Sequence, residues 1–210
     1  MEKAVLTVFG RHESEKVIEK SRFIACSEHV ESEEEAKNFL SEIRSQHTLA
    51  THCCYAFIAD KTGNLMRFSD DGEPQGTAGM PILDVLKNKK LTETAVAVVR
   101  YFGGIKLGAG GLVRAYSSAA SENLAGADIR TVEMCREYEI RVDYSEADSA
   151  RKFISSGRCL PLSENYAEKV FFTVAVKKSD AENFQAEFID YMQGRGEIKP
   201  GREYYRAFGL

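Results

Sequence analysis

Between residues 5 and 30 apolar and polar residues alternate, with Val17-Ile18 and Phe23-Ile24 as the main apolar pairs, and a period of two predicts strands with one buried face. The alternation runs around residues 10–14 (Gly10-Arg11-His12-Glu13-Ser14), which read as a turn. The period then changes to that of a helix: Ser32 and Glu35 have capping-box spacing, and Ala36, Phe39, Leu40 and Ile43 share one face. Tyr55-Ala56-Phe57-Ile58 predicts a strand, followed by a polar turn over residues 60–64. A short helix is expected from Pro81, where the missing N–H has no helical partner to lose. Ala95-Val96-Ala97-Val98-Val99 is a continuous β-branched run, which predicts a strand buried on both faces. A glycine-rich stretch then leads into a long helix with Leu112, Ala115, Tyr116 and Ala119 inward.

Beyond residues 131–135 the pattern restarts. Tyr138, Ile140, Val142 and Tyr144 alternate with charged residues, and a helix with Ala147, Ala150 and Ile154 inward precedes Gly157, a C-terminal cap position. Residues 171–176 predict a strand. Ser179 and Glu182 predict the cap of a helix carrying Phe184, Phe188 and Tyr191. With short strands near residues 158–162 and 198–205, the order is β-α-β-β-α-β, a ferredoxin-like pattern. The fold class is therefore α/β (α+β), with one domain over residues 1–133 and a second over 134–210.

The 210 residues are 43% hydrophobic and 29% charged, a globular balance. The net charge is −4, and neither half is basic, with 16 basic against 19 acidic residues before Arg136 and 12 against 13 from there on. A strongly basic non-specific nucleic-acid coat is excluded, so any polyanion site must be local. No apolar run reaches the roughly 18 residues of a membrane span, and the first residues lack signal-peptide order, which predicts a cytoplasmic protein. The five cysteines show no C-x-x-C pair and read as reduced thiols.

Chemistry is concentrated in two segments. After the buried strand, residues 101–114 hold Gly103, Gly104, Gly108, Gly110 and Gly111 with Arg100, Lys106 and Arg114 and no acidic residue. Backbone N–H groups at a helix start, close approach through glycine, and three cations point to an anion such as phosphate. A tight strand-to-helix turn needs the same glycines. Neither G-x-G-x-x-G nor G-x-x-x-x-G-K-[ST] is present, which argues against a dinucleotide or P-loop site and leaves no cofactor implied. The second segment places Asp70, Asp71 and Glu73 beside Thr77 and several glycines. These carboxylates could hold Mg²⁺, act as general acid or base, or pair with the cations; a solvated acidic turn is the alternative. No metal is specified by the pattern. His52 is expected as a hydrogen-bonding member of this polar site rather than as the activator of Cys53 or Cys54, and no catalytic residue is assigned.

At the same residues the chain resembles the YigZ/IMPACT family: Lys20-Ser21-Arg22-Phe23-Ile24, Thr51-His52 with Tyr55-Ala56, Asp70-Asp71-Gly72-Glu73-Pro74-x-Gly76-Thr77-Ala78-Gly79-x-Pro81, and Val99-Arg100-Tyr101-Phe102-Gly103-Gly104-Ile105-Lys106-Leu107-Gly108-x-Gly110-Gly111-Leu112-Val113-Arg114-Ala115-Tyr116. The resemblance implies a first domain with the fold of ribosomal protein S5 domain 2, shared with domain IV of elongation factor G, and a second domain like that factor's domain V. Those relatives handle RNA on the ribosome, and eukaryotic members act in translational control through protein contacts. No reaction is carried over. The leading expectation is thus a non-catalytic module that binds RNA or the ribosome in translation or its regulation. A translation-regulatory protein-interaction module and a metal-assisted hydrolase built from the acidic loop and His52 are the alternatives.

Overall fold

The computed structural model describes residues 4–208. The chain divides into two compact units, Val5–Thr131 and Val132–Phe208. In the first, strands β2 (Arg11–Ile18), β3 (Ser21–His29), β4 (His52–Ile58), β5 (Met66–Ser69) and β6 (Thr94–Tyr101) form an antiparallel sheet in the order β2-β3-β6-β4-β5. A further strand, β1 (Val5–Val8), pairs with β7 (Ile129–Val142), on which the chain passes into the second unit.

Helices cover both faces of the first sheet, and strand alternation explains how. Phe23, Ala25, Cys54, Ala56, Val96 and Val98 pack with α2 (Gly79–Asn88) and α3 (Gly108–Gly126), while Ile24, Cys26, Cys53, Phe57, Ala95, Ala97 and Val99 pack with α1 (Glu33–Gln46). The unbroken apolar run of β6 is the consequence, because both of its faces are inside. At α1 the Glu35 N–H donates to Ser32 Oγ at 3.2 Å, and Ala36, Phe39, Leu40 and Ile43 are buried as their spacing predicts.

In this unit one local expectation fails and one strand carries no sequence signal. Arg11 to Ser14 lie within β2, and the chain reverses at Glu19 and Lys20, which take φ of 45° and 65° in a two-residue hairpin between Ile18 and Ser21. Neither residue type advertises a left-handed conformation, whereas Gly10 does and only joins β1 to β2. The four-residue edge strand β5 is too short and too polar to stand out as a pattern.

In the second unit the elements follow in the order β7, α4 (Ala147–Ile154), β8 (Leu160–Tyr166), β9 (Val170–Lys177), α5 (Ala181–Tyr191) and β10 (Glu197–Phe208), with β10 and β9 both pairing with β7, and β8 with β9. Tyr138, Ile140 and Val142 meet Ala147, Ala150, Ile154, Phe184 and Phe188 in one core. The Ser179 and Glu182 cap does not form. Residues 178–180 turn as a 3-10 helix, Ser179 Oγ donates to its neighbour Asp180 at 3.0 Å, and Asp180 takes the N-cap position without a side-chain bond. Tyr144 and Tyr191 are exposed rather than inward.

Candidate nucleic-acid interface

Arg100 sits near the end of β6 with its side chain inside the protein, only 6% exposed, and its Nη1 donates to Glu73 Oε1 at 2.6 Å. The Tyr116 hydroxyl of α3 donates to the same oxygen at 2.8 Å, and His52 Nε2 lies 3.9 Å from Oε2. Arg100 Nη2 donates to Ser21 Oγ at 3.3 Å, and the guanidinium lies over the rings of Phe23 and Phe102. Desolvating this pair is expensive, and the geometry offsets it with charge-assisted bonds on both partners. The expected phosphate contact from Arg100 is therefore corrected. Its charge is spent on Glu73, because residues 96, 98 and 100 share the face that packs on α2 and α3.

The acidic loop is a structural clasp. Asp70 accepts the N–H groups of Gly76 (2.8 Å), Ala78 (3.0 Å) and Gly79 (2.8 Å), which caps the start of α2 where Ala78 offers no side chain. Burial raises the Asp70 pKa, but these three bonds outweigh it and hold the carboxyl below its ordinary range. Asp71 Oδ2 accepts Cys53 N–H at 2.6 Å, its Oδ1 meets Arg44 at 3.4 Å, and its carbonyl bonds His52 Nδ1 at 2.8 Å. Thr77 Oγ1 donates to the Pro74 carbonyl at 2.6 Å. Each carboxylate is thus directed to different protein partners. The hydrolase alternative requires Asp70, Asp71 and Glu73 to converge, and they do not.

The thiols are equally unsuited to nucleophilic roles. Burial pushes Cys53 up to about 11 and Cys54 higher still, and Cys54 Sγ points to the Asp70 carbonyl at 3.0 Å.

Lys106 and Arg114 do come together. With Lys16, Ile18, Glu19, Leu107 and Gly111 they line a cleft of about 580 Å³ beside the first turn of α3. Both are exposed, and among the described residues neither forms an ion pair. Lys16 is the residue that sequence reasoning missed. It lies on β2, far away in the chain, and pairs with Glu122 while donating to Ser118 Oγ at 2.7 Å. Its only signal was its place in the alternating β2 pattern, which the misplaced turn obscured.

The glycines divide their work. A Cβ on Gly103 would lie 2.0 Å from the Lys20 carbonyl carbon, so this glycine permits the turn to press on the β2–β3 hairpin, and its N–H donates to Ser21 Oγ at 3.2 Å. That N–H is committed and cannot serve a ligand. Gly108 takes φ +68°, which lets the chain enter α3. Gly104 and Gly110 face open space, and Gly111 lines the cleft. Among the described residues no side chain caps α3, and its first turn carries no acidic residue, so the positive end of the helix dipole is not neutralised there.

Among the described residues no helix is long and apolar enough to cross a membrane. The family description "Impact N-terminal domain" matches residues 19–124, and the "Domain of unknown function (DUF1949)" matches residues 140–195. The chain is 38% identical over 199 residues to the IMPACT family member YvyE of Bacillus subtilis, covering 95% of this chain and 92% of the relative. It is 34% identical over 179 residues to the IMPACT family member YigZ of Escherichia coli, covering 84% and 88%. A crystal structure described as that of a hypothetical protein superposes with a TM-score of 0.62 at 32% identity, over 94% of this chain and 97% of that one. With both of its segments matched, and its relatives aligned over nearly their whole length, the chain belongs to the YigZ/IMPACT family.

Proposed function

We propose that this protein is a non-catalytic module that binds structured RNA, on or off the ribosome, through the cleft at the start of α3, and that it serves translation or its regulation. The observation that carries the reading is that Lys106 and Arg114, two exposed cations without an ion-pair partner among the described residues, line the same cleft as an uncapped helix N-terminus. Lys16 shares this lining but is already paired with Glu122, so two unpaired cations face one carboxylate, Glu19. Such a site favours phosphate oxygens, through charge-assisted bonds from the side chains and through the helix dipole. Exposed Phe102 and Ile105 on the preceding turn offer apolar contact for bases. The buried Arg100–Glu73–Tyr116 network lies beneath this turn and fixes it before any ligand arrives, which limits the ordering cost of binding.

A protein partner is the second reading, favoured by the exposed apolar side chains of Phe102, Ile105 and Val113 close to the same cations. Salt separates the two. Binding of the full chain to a structured RNA and to purified ribosomes, measured at several salt concentrations, should weaken steeply as salt rises if phosphates are the contact. An absence of RNA and ribosome binding at low salt would refute the RNA reading.

A further inference from the structure

The cleft at the start of α3 holds more than a phosphate needs. Ile18 and Leu107, half-buried against the core, and the buried Ala115 give it an apolar floor. Beside the cations stands a carboxylate, Glu19, which is exposed and among the described residues has no hydrogen bond or ion pair. Resting on the RNA reading above, we propose that the cleft takes one unpaired guanine nucleotide of the RNA. Its phosphate lies on Lys106 and Arg114, a face of its base on the apolar floor, and its Watson–Crick edge at Glu19.

The floor argues for an unpaired base. Residues 111, 115 and 118 follow one face of α3, and as Gly, Ala and Ser they leave the recess unfilled. A paired base buries both faces in the stack and shows a protein only its edges and backbone, so a duplex would use the cations and leave the apolar floor empty. A base turned out of a loop or bulge can lay a face on Ile18 and Leu107. The cleft volume of about 580 Å³ falls in the range of about 300 to 1,000 Å³ usual for small-ligand sites, which is enough for one nucleotide.

Glu19 argues for guanine. In a site built for phosphate alone a carboxylate is a liability, because it repels the polyanion. Lys16 does not cancel it, since its Nζ is held by Glu122 and Ser118 Oγ. An ionised carboxylate accepts hydrogen bonds through two oxygens and donates none. Guanine presents two adjacent donors, N1–H and N2–H₂, on its Watson–Crick edge, which match those oxygens. Adenine, cytosine and uracil each place an acceptor next to the donor on that edge, and the acceptor would face the carboxylate.

The backbone that carries Glu19 is held in place before any ligand arrives. Glu19 and Lys20 take φ of 45° and 65° in a two-residue turn that Asn-Gly or Asp-Gly would make more easily, so turn chemistry does not account for a glutamate there. Gly103 presses on the Lys20 backbone, and Ser21 Oγ accepts both the Gly103 N–H and Arg100 Nη2. The hairpin tip is thereby tied to the turn that leads to Lys106, and acceptor and cations share one frame, which limits the ordering cost of binding.

The test uses the full chain and three hairpin RNAs that differ at one place in the stem: a single bulged guanine, a single bulged adenine, or no bulge. Affinities are measured by fluorescence anisotropy at low and moderate salt. The guanine bulge should bind about tenfold or more tighter than the other two, the discrimination expected of one well-formed bidentate base contact. Glu19→Gln, at an exposed turn position, should reduce the guanine-over-adenine ratio roughly fivefold or more, because one acceptor becomes a donor. Equal binding of the three RNAs would overturn the guanine assignment, and if that binding still falls with salt and with loss of Lys106 and Arg114, the phosphate reading stands without it. A guanine preference untouched by Glu19→Gln would overturn the role given to Glu19. Absence of binding to all three RNAs at low salt would overturn both readings.

Discussion

Replacing Glu73 by glutamine tests whether the buried network supports the fold beneath the cleft. Arg100 and Glu73 are 6% and 4% exposed, and the carboxylate also accepts the Tyr116 hydroxyl. The substitution keeps the shape and an acceptor oxygen but leaves the Arg100 charge unpaired in the interior. Breaking a buried pair from one side costs about 3 to 5 kcal/mol, and retention of an acceptor places glutamine near the lower figure, about 3 kcal/mol. The unfolding constant of the first unit should then rise by roughly a hundredfold at 25 °C. Its melting temperature should fall by about 10 °C, taking a few degrees per kcal/mol. Urea and thermal unfolding followed by far-ultraviolet circular dichroism read both quantities. The double change Glu73→Leu with Arg100→Met should recover most of the loss, because it removes both charges together. A Glu73→Gln loss below about 1 kcal/mol would refute the reasoning, since it would mean that Arg100 finds solvent or another anion when its partner is neutral.

Asp70→Asn should lower stability at pH 7 by about 1 to 2 kcal/mol, because the amide keeps one acceptor for Ala78 and Gly79 but loses the Gly76 bond and the charge that strengthens the others. The Asp70 pKa is lower folded than its ordinary 3.8, so its contribution is present above that value and is lost as pH falls through the folded pKa; acid titration of the two proteins should converge there. Cys26 and Cys53 are pushed up to about 12 and about 11, chiefly by burial, so iodoacetamide at pH 8 should label them slowly in the native protein, while urea exposes all five thiols. Fast native labelling of either would contradict their placement. The segment 132–210, expressed alone, should unfold cooperatively because its helices and sheet enclose their own core; a non-cooperative melt would show that the halves depend on each other.

Much of the fold was legible because the period of the apolar residues is a direct image of burial. The capping box of α1 and the double-sided run of β6 left strong local signals. The Glu19-Lys20 hairpin left none, since left-handed conformations at non-glycine residues are imposed by strand pairing rather than by residue preference. At the candidate site, the sequence drew attention to two segments and misjudged their division of labour. Arg100, Lys106 and Arg114 are close in sequence, but Arg100 is still within the sheet and turns inward, whereas the other two lie beyond its end. Tyr116 read as a core residue at helical spacing, and its ring does pack on Phe23; only the three-dimensional arrangement reveals that its hydroxyl completes the Glu73 network. Lys16 reaches the cleft through sheet pairing, which no short-range spacing encodes.

The proposal that Lys106 and Arg114 read phosphate at the cleft can be tested directly. Both should be changed to alanine and affinity for a structured RNA measured at two or more salt concentrations, beside an Asp70→Asn control that alters the clasp and no cleft cation. Removing two charge-assisted bonds, each worth about 1.5 to 3 kcal/mol when well formed, should reduce affinity at least tenfold. The salt slope should shrink by up to about 0.9 for each duplex phosphate that is no longer neutralised. RNA affinity and salt slope unchanged in the double variant would contradict the account and transfer the cleft to a protein partner.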